Sequence, residues 1–74
     1  MDFKTASDRV TGACVTLDDI AVAAGVSDSL IRRARLDPAG SSFRRPPAGW
    51  EKAIAKLARE RAGELLKLAE ELEG

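Results

Sequence analysis

The chain is predicted to be all-α, and three features of the sequence say so. Its 45% apolar content is inflated by alanine, and with two Phe, one Trp and no Tyr the core must be mostly aliphatic, a composition that favours helices over sheets. A capped, helix-period segment begins at Thr16 and is broken by a single glycine, Gly25. The last third of the chain is alanine, leucine, lysine and glutamate almost throughout, with no proline after Pro47. The expected order is a helix-turn-helix, a loop and a long C-terminal helix.

Residues 1–14 offer only Phe3, Val10 and Cys14 as scattered apolar positions, and Gly12 interrupts any long helix. They form either a frayed arm or one short helix. The lone Cys14 cannot make an internal disulfide and reads as a small core residue rather than a reactive thiol.

The helix-turn-helix spans 15–37. "TLDD", from Thr16 to Asp19, is a capping box, in which hydroxyl and carboxylate reciprocally satisfy free N–H groups, and Asp18 and Asp19 suit the positive end of the helix dipole. That helix runs to Ala24, where Gly25 can take the left-handed geometry that ends it. Ser27 caps a second helix over 28–36, with Asp28 in its first turn and Leu30, Ile31 and Ala34 as its apolar stripe. Two short helices joined by a three-residue, glycine-containing turn describe a helix-turn-helix.

Residues 38–49 are loop by composition, rich in Pro, Gly and Ser, with Phe43 placed to tack them onto the core. The helix over 50–73 would be roughly 35 Å long. Its apolar residues form two groups. Trp50, Ile54 and Leu57 would cover the helix-turn-helix, whereas Leu65, Leu66, Leu68 and Leu72 would project beyond it. Leu65, Leu68 and Leu72 have the 3-then-4 spacing of a coiled-coil seam, so this helix is expected to join two copies as a homodimer. At 74 residues the chain is one small domain at most, and a partner subunit would help to stabilise it.

Zero net charge hides a segregation. Residues 1–31 carry two basic and five acidic side chains, net −3; residues 32–61 carry nine basic and three acidic, net +6; residues 62–74 carry one basic and four acidic, net −3. A basic block therefore lies between acidic flanks.

Several function classes are disfavoured. There is no histidine and only one cysteine, so no zinc or other metal site is expected and no cofactor is implied. Without His or Tyr the usual acid, base and nucleophile sets are missing, and no enzyme is expected. The N-terminus lacks a signal-peptide apolar stretch and the longest apolar run is far too short to span a bilayer, so a cytoplasmic location and no membrane partner are expected. A membrane-surface helix is also disfavoured, because the leucine-rich end is acidic.

The arginines after the turn carry the positive signal. On a wheel of about 100° per residue, Ser29 and Arg32 point directly away from the Leu30/Ile31/Ala34 stripe; Asp28 and Arg33 flank them, and Arg35 lies at the edge. A convex face free of bulky aliphatics, bearing guanidinium forks that match guanine O6 and N7, suits the major groove of a DNA duplex. Asp28 either accepts from cytosine N4 or merely complements its helix N-terminus. Arg44 and Arg45 either reach a phosphate or an adjacent minor groove, or keep an exposed loop hydrated. Lys52, Lys56 and Arg59 read as a solvated face, and Trp50 as a core anchor rather than a base-stacking platform.

The stretch "VTLDDIAVAAGVSDSLIRRA" resembles the DNA-binding headpiece of the LacI-type repressors, whose pattern is Val-Thr-hydrophobic-x-Asp-Ile/Val-Ala-x-x-Ala-Gly-Val-Ser followed by a recognition helix. Ala21, Gly25, Val26 and Ile31 fall where that motif has them. The resemblance implies base contacts by Asp28, Ser29 and Arg33, and sequence-specific binding of double-stranded DNA. It covers about 20 of the 74 residues. No sugar-binding domain and no hinge helix follow, so no small-molecule effector domain is expected and the chain looks like a compact phage-, plasmid- or transposon-type regulator.

The leading expectation is thus a dimeric transcriptional repressor or autoregulator whose DNA-binding residues are Thr16, Ser27, Asp28, Ser29, Arg32, Arg33, Arg35, Arg44 and Arg45, with a dimer interface at Leu65, Leu68 and Leu72. The alternative is a helical protein-interaction module, antitoxin-like or a recombinase accessory protein.

Overall fold

In a computed structural model describing all 74 residues, the chain forms four helices and no strand: α1 (Phe3–Thr11), α2 (Leu17–Ala24), α3 (Asp28–Ala34) and α4 (Trp50–Glu73). The all-α order expected from the sequence holds, and residues 1–14 take the helical rather than the frayed alternative. The Asp2 carboxylate accepts from the Thr5 N–H at 2.8 Å and caps α1. Phe3, Ala6, Ser7 and Val10 then fall on one buried face. Ser7 is fully buried, but its hydroxyl donates to the Lys4 carbonyl at 3.0 Å, so burying it leaves nothing unpaired.

α2 begins with the expected capping box: the Asp19 N–H donates to Thr16 Oγ1 at 3.0 Å and the Thr16 N–H to Asp19 Oδ2 at 2.9 Å. It ends on Gly25 at φ 71°, where a Cβ would meet nothing within 4 Å. Backbone conformation, not space, calls for glycine there. The Leu30 N–H donates to Ser27 Oγ at 3.2 Å, which caps α3. α3 stops at Ala34, two residues short of the expected 28–36. Arg35 and Leu36 donate to the carbonyls three residues back, tightening the last turn, and Pro38 disfavours helical geometry at Asp37.

Ile20 and Ile31 are fully buried at the centre of the core, with the small Ala21 and Ala34 buried beside them. Phe3, Val10, Val15 and Ile54 close the core on the remaining sides, and Val26, Trp50 and Leu57 pack against it half-buried. The Phe3 and Trp50 rings meet edge-to-face at 5.3 Å, which makes Trp50 a packing residue.

Cys14 is not in the core. It is exposed and left-handed at φ 69°, because the chain must reverse between Gly12 and Val15; Val15 takes the buried position instead. The reversal is held from α4, where Arg61 Nη2 donates to the Cys14 carbonyl at 3.1 Å.

Beyond Arg61 every residue of α4 is exposed. The molecule measures 53 × 20 × 18 Å with a radius of gyration of 14.1 Å, against about 11 Å for a compact chain of this length. The overhanging end of α4 accounts for the difference. No helix is long and apolar enough to cross a membrane.

Candidate nucleic-acid interface

α3 buries Ile31 and Ala34 completely or nearly so, half-buries Leu30, and leaves Asp28, Ser29, Arg32 and Arg33 exposed. The division follows from helical period alone: the stripe facing Ile20 fixes the rotation of α3, and the polar residues are then turned outward. Asp28 and Arg32 pair at 3.6 Å one turn apart, with 51% and 65% of their side chains exposed. A solvated pair of this kind contributes only about 0.3–0.5 kcal/mol. Arg32 can therefore leave Asp28 for a guanine edge at little cost. Arg33 faces solvent, and no ion pair or side-chain hydrogen bond holds its guanidinium.

Thr16 and Ser27 sit at the N-termini of α2 and α3 and are exposed, each engaged as an acceptor by its own cap. The Ser27 hydroxyl proton remains available to a phosphate oxygen, whereas the Thr16 hydroxyl also lies against the Asp19 carboxylate. The Asp19 carboxyl is held below the ordinary aspartate value of 3.8 by the Thr16 N–H and hydroxyl, with Arg61 adding a smaller contribution. The α2 N-terminus thus keeps a charged cap across the neutral range.

The loop arginines are brought to the same part of the molecule. The Arg44 N–H donates to the Arg33 carbonyl at 3.4 Å, so the loop is stitched to the end of α3. Phe43 is half-buried and shares a cleft with Phe3, Ala34, Leu36 and Pro46, as its expected tacking role requires. Arg44 and Arg45 are both exposed; Arg44 Nη1 donates to the Phe43 carbonyl at 2.9 Å.

Arg35 departs from the expected set. Its guanidinium is bound to Asp8 of α1 and only 25% of its side chain is exposed. Lying at the edge of the stripe, it points along the α1–α3 contact, and α1 supplies the carboxylate. Arg35 ties two helices together and is not presented with Arg32 and Arg33. The Asp8 carboxyl is lowered mainly by its hydrogen bond from Lys4, then by the Arg35 charge.

Sequence reasoning passed over Asp8 and Arg61, both of which act through contacts with residues 27 and 47 positions away. Local spacing holds no signal for pairs so far apart. Leu65, Leu68 and Leu72 are 55%, 50% and 78% exposed on the overhang, with Leu65 at the end of an apolar groove between α1 and α4.

No protein-family model matches the chain, and no curated protein or solved structure matches it either.

Proposed function

We propose that this chain is a cytoplasmic, sequence-specific double-stranded DNA-binding protein, a dimeric repressor or autoregulator that reads the major groove with α3. The observation that carries the reading is the rotation of α3: its aliphatic stripe is spent on the core, and Ser29, Arg32 and Arg33 lie open on a convex edge. The backbone bond from Arg44 to the end of α3 supports it, since it holds a loop with two exposed arginines near that helix, and phosphate-neutralising cations near a base-reading edge fix register on a duplex. The likeness of residues 15–34 to the LacI-type headpiece points the same way. Asp28 and Ser29 face bases in this reading, Thr16 and Ser27 face phosphates, and Arg35 is withdrawn from the contact set. The chemistry is recognition, with no catalytic step and no cofactor.

Dimerisation through α4 is part of the reading. One short α3 makes too few contacts for useful specificity, and two copies would present two such helices to a pseudo-palindromic site.

The test is a titration of labelled duplexes, first selected from a random pool, at several salt concentrations. Affinity should fall steeply with salt, and Arg33→Ala should cost about 1–3 kcal/mol and relax preference at one base pair. Binding that is weak and indifferent to this substitution would favour the second reading, a helical protein-interaction module, for which the exposed Leu65, Leu68 and Leu72 are the favouring observation.

A further inference from the structure

An apolar groove of about 370 Å³ runs between α1 and α4, walled by Ala6, Val10, Ala13, Ile54, Ala58 and Ala62, with Arg9 and Arg61 at its edges. It is open to water yet offers it few polar partners. On a wheel of about 100° per residue, Ile54, Ala58, Leu65, Ala69 and Leu72 fall within about 60° of one another, with Ala62 and Leu68 on either side. The face of α4 that closes the core therefore continues without a break into the exposed seam. The groove runs along α4 from Ile54 to Leu65 and the overhang from Ala62 to Glu73, each about twelve residues or roughly 18 Å, so the two overlap around Leu65.

We infer that a second copy of this chain fills the groove in antiparallel orientation: the overhang of each α4 lies in the groove of the other, about a two-fold axis near Leu65. This direction rests on the self-association through α4 proposed above and not on DNA binding.

Side-chain size sets the direction. The groove half of α4 is small, with Ala58 and Ala62, and α1 and the turn after it add Ala6 and Ala13; the overhang is large, with Leu65, Leu68 and Leu72. Antiparallel pairing about Leu65 lays Leu72 of each copy over Ala58 of the other and Leu68 over Ala62. Parallel pairing stacks leucine on leucine and alanine on alanine, and leaves both grooves open to water.

Charge sets the same direction. Residues 62–74 have net charge −3, whereas residues 50–61 hold four basic and two acidic side chains, with Arg9 beside them. Antiparallel pairing lays the net-negative overhang of one copy along the net-positive half of the other. Parallel pairing sets the two acidic ends against each other.

The spacing of the two heads follows. The core contacts of α4 are centred ten residues before Leu65, so the heads stand about 30 Å apart along the shared axis, close to one turn of B-DNA. A parallel pair would set them side by side, at about the 20 Å width of one head.

The test uses the full chain carrying Cys14→Ser and Gly74→Cys, with a nitroxide on the new thiol; a Cβ at residue 74 meets the Glu70 carbonyl at 3.0 Å, which the exposed last turn of α4 relieves without involving the core. Sedimentation should show a dimer, and pulsed dipolar spectroscopy a separation of about 27 Å. A separation of about 10–15 Å, set by neighbouring helices 8–10 Å apart, would overturn the antiparallel direction while leaving α4 self-association in place. A monomer at every concentration would overturn both, and neither result depends on whether duplex DNA is bound. As a second measurement, Ala58→Cys mixed with Leu72→Cys, both on the Cys14→Ser background, should oxidise mainly to the mixed disulfide dimer; a random mixture of products would count against the pairing.

Discussion

At the scale of single residues, the arginines after the turn divide by what they touch. The Arg33 guanidinium is held by no partner in the chain and that of Arg32 by one weak exposed pair, whereas Arg35 is half-buried against Asp8. Arg35→Ala should therefore lower stability by about 1 kcal/mol, a drop of roughly 4–8 °C in Tm for a domain of this size, and leave the salt dependence of DNA binding unchanged. Arg35→Met, which keeps the stem and removes the charge, should recover part of that loss. A salt slope shallower by about one in Arg35→Ala would instead make Arg35 a phosphate contact. The caps bear on pH in a related way. Asp19 has its carboxyl lowered from 3.8, first by the Thr16 N–H, so it stabilises the fold above its ordinary pKa and this contribution is lost as pH falls through the lower folded value. Tm should be nearly flat from pH 7 to 5 and drop below pH 4 or so, and the drop should shrink in Asp19→Asn, read by circular dichroism at pH 6 and pH 3.

At the scale of elements, what the sequence disclosed depended on whether the stabilising contacts were local. The capping box at Thr16, the left-handed stop at Gly25 and the Ser27 cap all lie within three or four residues, and α2 and α3 were legible in consequence. α1 was not. Its stripe of Phe3, Ala6, Ser7 and Val10 contains a serine, whose burial is possible only because its hydroxyl finds the Lys4 carbonyl, and a polar residue in the stripe blurs the period. Cys14 was misplaced for a similar reason: the backbone reversal that turns it outward is held by Arg61, 47 residues on. Of the candidate site, the outward face of α3 followed from helical period, while the capture of Arg35 by α1 had no local sign. α4 itself divides into a half that folds the head and a half that does not. A chain ending at Ala62 keeps Ile54, Trp50 and Leu57 and should retain nearly the full helical signal of the head. It should sediment as a monomer and bind a two-half-site duplex at least tenfold more weakly than the full chain. Ile54→Ala, by contrast, removes the one fully core-facing residue of α4 and should cost about 2–5 kcal/mol, enough to unfold a domain this small.

At the scale of the whole molecule, the charge pattern and the shape make the same demand. A neutral chain whose middle is basic and whose ends are acidic gains nothing electrostatically from placing like ends together. A molecule 53 Å long, with the apolar stripe of α4 bare over one half and grooved over the other, would cover both halves at once in the proposed antiparallel pairing. Ionic strength separates the two directions. In the proposed antiparallel dimer the acidic overhang lies along the partner's net-positive half and its exposed Arg9, where attraction is screened as the Debye length shrinks from roughly 10 Å at 0.1 M to 3 Å at 1 M salt. Dimer Kd, measured by sedimentation without DNA, should rise about fivefold to tenfold over that range of sodium chloride, the loss of a few exposed pairs at some 0.2–0.5 kcal/mol each. Two acidic ends held together in a parallel pair would respond with the opposite sign, because salt would relieve their repulsion and tighten the dimer. Arg9→Glu sharpens the contrast: it faces the groove from α1, outside the α4 seam, so it should weaken an antiparallel dimer at low salt and leave a parallel one nearly unchanged.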